Sequence, residues 1–322
     1  MLDVSIIFVN YKTEKLLLEC LRSIQSHTSG LSYECIVVDN SFVEGANREI
    51  LSEYPSTKWI NSGGNWGFSK GNNVGVEHAE GEFVLFLNAD TLIIDNSIFN
   101  ALEFLKSKSD FLAIGGIQLD ENRAEIPFYY TLNDIRKDFY ILPNLPIIQQ
   151  FVERLLPKEN FSKGETNNLV GAFIMVSKLN FMEVGGWDED FFMYAEDAEL
   201  SFRLAKKGKL GYSPDVKFIH LIHDNEFRRT EYSWVNRFSL QIQLSNLLWI
   251  RKSYGIGALL LIYLNYLLLV PIFWTWKILL NLFSGKKWLN DTKNQVELSK
   301  KVGTLLGFLL RLLVLAKGPY KN

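Results

Sequence analysis

Four short apolar runs in the first ninety residues each end in Asn or Asp, and this repetition limits the folds open to the chain. Residues 4–9 run into Asn10, residues 35–38 into Asp39-Asn40-Ser41, Lys58-Trp59-Ile60 into Asn61, and residues 83–87 into Asn88-Ala89-Asp90. The last run, Phe83-Val84-Leu85-Phe86-Leu87, reads as a strand buried on both faces, the kind found in parallel sheets covered by helices. Between the first two runs, Leu16, Leu17, Cys20, Leu21 and Ile24 recur at helical spacing, with Thr13 placed to cap that helix. Strands alternating with helical stretches predict an α/β fold with a mostly parallel, doubly wound sheet and right-handed crossovers. In such sheets the ligand crevice lies beyond the carboxyl ends of the strands. One Asn or Asp there is an ordinary turn or cap residue. Four at one edge converge on the crevice. Asn88 and Asp90 also offer oxygen ligands to a hard divalent cation that could hold a phosphate.

The 322 residues give room for one large domain plus an appendage, and 48% hydrophobic with 22% charged residues suits a packed core. The net charge of −2 is unevenly spread. From Lys286 onward there are eight Lys/Arg against two Asp/Glu, a net of +6, so the remainder carries −8. A basic, apolar tail on an acidic body points to an anionic membrane surface and away from nucleic acid. Cys20 and Cys35 fall in a helical pattern and an apolar strand, which predicts two reduced, buried thiols in a cytosolic protein. Met1-Leu2-Asp3 leads straight into a strand pattern without the features of a signal peptide.

The loop Asn61-Ser62-Gly63-Gly64-Asn65-Trp66-Gly67-Phe68-Ser69-Lys70-Gly71-Asn72-Asn73 lies between strands three and four. Its glycines permit close backbone approach, and a helix starting near Phe68 would turn its N–H groups toward an anion. It is neither a dinucleotide fingerprint nor a Walker loop; a plain loop with helix caps is the competing reading. A helix near 97–108 and a strand near 111–117 follow. Residues 121–164 read as an irregular apolar segment of the sort that forms lids or partner surfaces. Residues 169–176 read as another strand, with Gly171 a point of close approach. Glu196 and Asp197 open a helix, where carboxylates also serve the dipole alone. A strand at 216–219 ends in His220, with His223 nearby.

With these residues assembled, residues 3–225 resemble the family 2 glycosyltransferases of GT-A fold, and most of all the rhamnosyltransferase-like members that build bacterial surface polysaccharides. The resemblance rests on Val9-Asn10-Tyr11-Lys12, Val38-Asp39-Asn40-Ser41, Asn65-Trp66-Gly67-Phe68 with Gly71-Asn72-Asn73, and Asn88-Ala89-Asp90 where the family has Asp-x-Asp. It continues in Gly185-Gly186-Trp187-Asp188-Glu189, Glu196-Asp197 with Arg203, and His220. It implies that Asp39 meets the nucleotide base or ribose. Asn10, Asn40, Asn65, Gly67, Lys70, Asn72, Asn73 and Asn88 would line the donor pocket. Asp90, Asn88 and His220 would hold Mg²⁺ or Mn²⁺ on the diphosphate. Asp197 would be the catalytic base, with Trp187, Glu196 and Arg203 toward the acceptor. Asn88 in place of Asp leaves one carboxylate in the motif, and His220-Leu221-Ile222-His223 leaves two candidates for the family's histidine.

The resemblance implies an inverting, metal-dependent transfer of a sugar, in the first instance rhamnose from dTDP-rhamnose or else from a UDP-sugar donor, to a lipid-linked saccharide acceptor. A nucleotidyltransferase would carry a Gly-rich basic loop after the first strand, where Asn10-Tyr11-Lys12-Thr13 stands. A catalytically dead sugar-nucleotide-binding subunit remains the alternative of another class. The expected organisation is a transfer domain over 1–235 and a helical, membrane-associating region over 236–322. Residues 253–276 contain no charge and are long enough to span a bilayer, with Trp274, Trp276 and Lys277 as interfacial anchors. Arg311 interrupts a second apolar stretch, 302–316. A single crossing would leave Lys286, Lys287, Lys293, Lys300 and Lys301 on the far side, against the positive-inside tendency. The expectation is therefore helices lying in the cytosolic leaflet, with packing on the domain or on a second subunit in a homodimer as the alternative.

Overall fold

The structure is a computed structural model, and it describes residues 2–41, 43–126, 131–139, 150, 154, 160–221, 236 and 239–322. The chain divides into two compact units: Met1–Leu132 with Asn160–His223, and Asn133–Glu159 with Asp224–Asn322.

The first unit is built on a nine-stranded sheet. Its strands are β1 (Leu2–Asn10), β2 (Tyr33–Asp39), β3 (Lys58–Asn61), β4 (Gly81–Leu87), β5 (Thr91–Ile93), β6 (Phe111–Leu119), β7 (Glu165–Thr166), β8 (Phe173–Ser177) and β9 (Lys209–His220). The helices are α1 (Glu14–His27), α2 (Arg48–Glu53), α3 (Phe68–Glu77), α4 (Ser97–Ser107), α6 (Lys178–Glu183) and α7 (Glu196–Ala205), while α5 (Leu132–Phe139) has its first residue in this unit and the rest in the second. The order is β3-β2-β1-β4-β8-β6-β9-β5, with β7 on β9. The first four strands are parallel, as the sequence predicts. β8 enters antiparallel to both β4 and β6, and β9 is parallel to β6.

Strand residues alternate between two cores, as a pleated sheet requires. Val4, Ile6, Phe8, Val37, Leu85 and Met175 pack with Leu17, Leu21 and Ile24 of α1 and Ile98 and Leu102 of α4. Ile7, Ile36, Val84, Phe86, Ile174 and Val176 face the other side, against Val76 of α3, Phe181 of α6 and Leu200 and Leu204 of α7. Covering one such face of β4 alone, by fully burying Val84 and Phe86, stabilises by about 3–6 kcal/mol before entropy is charged.

Several elements differ from the sequence-based expectation. β8 starts at Phe173, so Leu169 to Ala172 lie outside it and form the approach to the site. A helix, α5, falls within the stretch read as irregular. β9 is longer than expected, because its register on β6 shifts around Ser213-Pro214-Asp215 and pairing then resumes; a proline that cannot donate to the ladder is tolerated at such an irregularity. Thr13 does not cap α1 through its side chain. Its N–H and hydroxyl instead donate to Asn10 Oδ1 at 3.1 and 2.8 Å. Cys20 and Cys35 are free thiols, the first buried and the second partly so.

The second unit contains α8 (Leu240–Phe283), α9 (Lys293–Gly307) and α10 (Leu309–Val314). Ser239 caps α8 by accepting from Ile242 N. The 44-residue α8 breaks at Gly255, whose φ of 87° is left-handed and suits glycine. α9 and α10 return antiparallel along it. The register is fixed by Lys277 on Asp291 (3.1 Å), Trp274 Nε1 on Ser299 (3.0 Å), Tyr263 Oη on Leu305 O (2.6 Å) and Arg251 on Leu313 O (3.0 Å). Of the expected interfacial anchors, Trp274 and Lys277 are thus engaged within the unit, whereas Trp276 is exposed. Leu259, Ile262, Tyr263, Tyr266 and Leu269 form the buried face of α8. On its opposite face Leu260, Leu261, Leu264, Leu268, Leu279 and Leu282 are exposed, a stripe about 33 Å long. α8 is long and apolar enough to cross a membrane. The outward face of α9 is more polar, with Lys293, Val296, Lys300, Gly303, Thr304 and Gly307 exposed on it.

Candidate functional site

The ends of β1 and β2 meet, and their side chains are committed to one another. Asn10, fully buried, donates to Asp39 Oδ1 (2.9 Å) and to Glu14 Oε1 (3.0 Å). Asp39 Oδ1 also accepts from Ser41 N (2.9 Å) and Ser41 Oγ (2.6 Å). All three hydrogen bonds to this carboxylate among the described residues meet Oδ1. Asn40, 2% exposed, donates to Gly67 O at 3.0 Å, and its Oδ1 is buried without a partner. An orphan acceptor of this kind costs about 1–3 kcal/mol in a folded protein.

The glycine-rich loop is tied to the loop that precedes α7. Asn65 Oδ1 accepts from Gly67 N at 3.2 Å. Gly67 has φ 86°, and a Cβ placed there would lie 2.2 Å from Phe192 O. That approach lets Phe68 N donate to Phe192 O at 2.8 Å. One N–H of the first turn of α3 is therefore spent on the protein rather than on an anion. Lys70 stacks its ammonium 4.4 Å from the exposed Trp66 ring. Asn72 is buried and donates to Phe68 O. Asn73 clamps the Trp187 peptide, donating to its carbonyl (2.9 Å) and accepting from its N–H (3.0 Å). Asn73 thus holds protein backbone with both ends of its amide, and its Nδ2 also donates to Glu189 Oε1 at 3.1 Å.

At the end of β4, Asn88 N donates to Ala172 O at 3.1 Å. Asp90 Oδ1 lies 3.2 Å from His220 Nε2, and the backbone of Asp90 is fixed by Leu221 N donating to its carbonyl (2.8 Å). His220 is brought there by β9 pairing with β5, Thr91 opposite His220. His223 lies outside the described residues. Among those described, no three His, Cys, Asp or Glu side chains cluster in a way that could hold a metal. The donor set is instead one carboxylate and one imidazole, with Asn88 two residues before Asp90 in the chain. It fits a hard divalent cation that completes its shell with water and diphosphate, as Mg²⁺ commonly does. The spacing agrees: two neighbouring ligands on an octahedral cation with bonds of about 2.1 Å lie about 3.0 Å apart.

Asp197 stands at the start of α7. Its Oδ2 accepts from Gly171 N (3.0 Å) and its Oδ1 from Ala198 N (2.8 Å). Burial pushes this carboxyl above its ordinary range even though those two N–H groups favour the charged form. Gly171 adjoins Ala172, which holds Asn88. Standard bond lengths along this two-residue bridge put the Asp197 carboxylate within about 14 Å of Asn88 N, the scale of a sugar and its phosphates. Tyr194 and Ala195, just before α7, both have left-handed φ (72° and 63°). Two successive non-glycine residues in that region are costly and cluster at functional sites.

The other residues expected near an acceptor separate. Trp187 is 1% exposed and packs edge-on against Phe68 and Phe86, so it is core and cannot touch an acceptor. Arg203 is held by Glu199 and by Val184 O (2.7 Å), so its guanidinium is structural. Glu196 is 7% exposed, its Oε2 has no partner, and burial next to Asp197 raises its carboxyl well above the usual range. Gln118 lies outside every motif. It is the one side-chain amide in an otherwise apolar β6, and that polarity near the carboxyl end of a buried strand is the signal by which the sequence could have pointed to it.

The joined ends of β1 and β2, the Asp90–His220 pair and the Asp197 carboxylate across the Gly171-Ala172 bridge sit on a GT-A scaffold. The fold agrees with a solved structure, the mannosyltransferase PcManGT from Pyrobaculum calidifontis in complex with GDP-Man and Mn²⁺, at TM-score 0.59 and 16% identity, over 98% of this chain and 90% of that one. The profile of glycosyl transferase family group 2 matches residues 83–317, and that of glycosyl transferase family 2 matches residues 5–151. The chain belongs to the family 2 glycosyltransferases. It is 29% identical to the rhamnosyltransferase WbbL of Escherichia coli K12, over 72% of this chain and 89% of that protein. It is 26% identical to an N-acetylglucosaminyl-diphospho-decaprenol L-rhamnosyltransferase of Mycobacterium tuberculosis H37Rv, over 58% of this chain and 65% of that protein.

Proposed function

We propose that this protein is an inverting, metal-dependent glycosyltransferase that moves rhamnose from dTDP-rhamnose to a lipid-linked saccharide in cell-surface polysaccharide synthesis. The observation that carries this reading is the Gly171-Ala172 bridge, which couples Asp197 to Asn88 and so to Asp90. The names of the two relatives support the sugar, and that of the mycobacterial one supports a polyprenyl-diphosphate acceptor. UDP-sugars are the second donor class to test.

Asp39 Oδ2 and Asn40 Oδ1 accept from the nucleoside. Asp90, His220 and Asn88 hold Mg²⁺ or Mn²⁺, which when bound neutralises charge growing on the departing diphosphate. The acceptor hydroxyl oxygen attacks the anomeric carbon, the bond from that carbon to the diphosphate oxygen breaks with its electron pair, and the hydroxyl proton passes to Asp197. Each Asp197 oxygen keeps a lone pair beyond its backbone hydrogen bond. A base whose affinity for protons is raised toward the working pH transfers a proton more effectively. A single displacement inverts the anomeric centre. A retaining double displacement would need a second, nucleophilic carboxylate.

Residues 1–235 serve as the transfer domain and 236–322 as the membrane-associating region, on the cytosolic face. The α8–α9 hairpin carries an apolar stripe on one side and lysines on the other. A spanning hairpin would put Lys293 and Lys300 in hydrocarbon, whereas one lying in the leaflet buries the stripe and keeps the lysines wet. The test is transfer from a panel of nucleotide sugars, with Mg²⁺ or Mn²⁺, onto a polyprenyl-diphosphate saccharide, with the anomeric configuration of the product read by NMR. Retention at that centre, or transfer undiminished by EDTA, defeats the proposal.

A further inference from the structure

Gln118 on β6 is 6% exposed, and its Oε1 lies 2.9 Å from His220 Nδ1. Neighbouring strands hold the pair: Gln118 is opposite Phe218 on β9, two residues before His220. The Gln118 backbone is itself pinned, its carbonyl accepting from Ile126 N at 2.9 Å. A carbonyl oxygen can only accept, so a neutral His220 ring in this contact carries its proton on Nδ1. The Nε2 lone pair then faces Asp90 Oδ1 across 3.2 Å. Two lone pairs at that distance need an electropositive atom between them: a bound cation, or the second proton of an imidazolium donating to Asp90. The reversed arrangement, with a proton only on Nε2, would close the gap by a hydrogen bond to Asp90 and leave no seat.

We propose that Gln118 is a positioning residue that fixes the His220 tautomer and so keeps Nε2 and Asp90 Oδ1 open as a paired cation seat. The proposal rests on the reading of Asp90 and His220 as cation ligands. It adds a residue outside the motifs, acting through His220 as a hydrogen-bonded partner orients a metal-ligating imidazole.

The test uses the full chain in detergent, labelled with ¹⁵N-histidine. There are four histidines, so the ring resonances are few, and His220→Asn assigns the one of interest. In the wild type the His220 proton is expected on Nδ1, and substoichiometric Mn²⁺ is expected to broaden that resonance first. In Gln118→Leu the proton redistributes to Nε2 and Mn²⁺ affinity, read by electron paramagnetic resonance, falls about 10- to 100-fold. Gln118→Glu restores both, since a carboxylate accepts the same hydrogen bond. A proton on Nε2 alone in the wild type overturns the proposal. So does Mn²⁺ affinity within twofold of wild type in a folded Gln118→Leu. Asp90→Asn separates the failures. If it loses Mn²⁺ while Gln118→Leu keeps it, only the role of Gln118 falls; if it binds as the wild type does, the cation seat falls too.

Discussion

Gly67→Ala tests whether the glycine-rich loop and the loop before α7 act as one body. The added Cβ would meet Phe192 O at 2.2 Å and the Phe192 carbonyl carbon and Cα at 2.9 Å. To reach ordinary contact, one loop must retreat by about 1 Å or more, because backbone cannot swing aside as a side chain does. The positive φ of 86° with ψ −175°, a combination essentially confined to glycine, costs roughly 1–3 kcal/mol for alanine. Losing the hydrogen bond from Phe68 N to Phe192 O, now 2.8 Å, costs about 0.5–1.5 kcal/mol more. With the residual clash, the expected destabilisation is about 2–4 kcal/mol, or roughly 4–12 °C in Tm. Phe192 lies four residues before Glu196, so the same retreat moves Asp197, and a displacement of about 1 Å at a reacting group can cost about 100-fold in rate. Gly63→Ala is the control. It has a similar left-handed φ of 79° but nothing within 4 Å of the added Cβ, so it pays the conformational cost alone. Differential scanning fluorimetry and a transfer assay on both variants decide the matter. If Gly67→Ala loses no more stability or rate than Gly63→Ala, the two loops are not coupled through this contact.

Asn73→Ala should lower stability by about 1–3 kcal/mol, by stranding the Trp187 N–H and carbonyl, and leave donor affinity unchanged by calorimetry. A tenfold weaker donor with unchanged Tm would make Asn73 a donor ligand after all. Glu196 carries a raised carboxyl pKa in the folded state, so the folded chain holds its proton more tightly than the unfolded chain does. The stabilisation is therefore complete below the unfolded value near 4.5 and is lost as pH rises toward the folded value, by about 1.4 kcal/mol for each pH unit separating the two. Glu196→Gln should flatten that decline and be the more stable protein at pH 8; parallel Tm profiles from pH 5 to 8.5 would refute this. Leu260→Ser combined with Leu264→Ser should release the chain from anionic vesicles in flotation. The wild type should leave natural membranes in carbonate at high pH, and retention there would mean that α8 spans.

Much of the parallel half of the sheet is legible because β1, β2, β3 and β4 announce themselves twice, by apolar runs and by the Asn or Asp that ends each. The antiparallel β8 is easily misplaced because Leu169 to Ala172 is as apolar as the strand that follows; only Gly171 marks it as an approach to Asp197. Trp187, Arg203 and Asn73 sit inside the family's motifs, yet pack or clamp the scaffold, because a motif records residues needed for the shape of a site as well as those that touch substrate. Gln118 shows the converse. Its importance comes from the β6–β9 register, which brings it beside His220, and no local pattern in one strand encodes the neighbour of another.

The direct measurement is transfer by Asp197→Asn beside its donor affinity. The substitution keeps size and removes the proton acceptor, so turnover should fall about 100- to 10,000-fold while nucleotide-sugar binding stays within about twofold. Turnover near that of the wild type would show that the Asp197 carboxylate merely caps α7, and the catalytic account would be wrong.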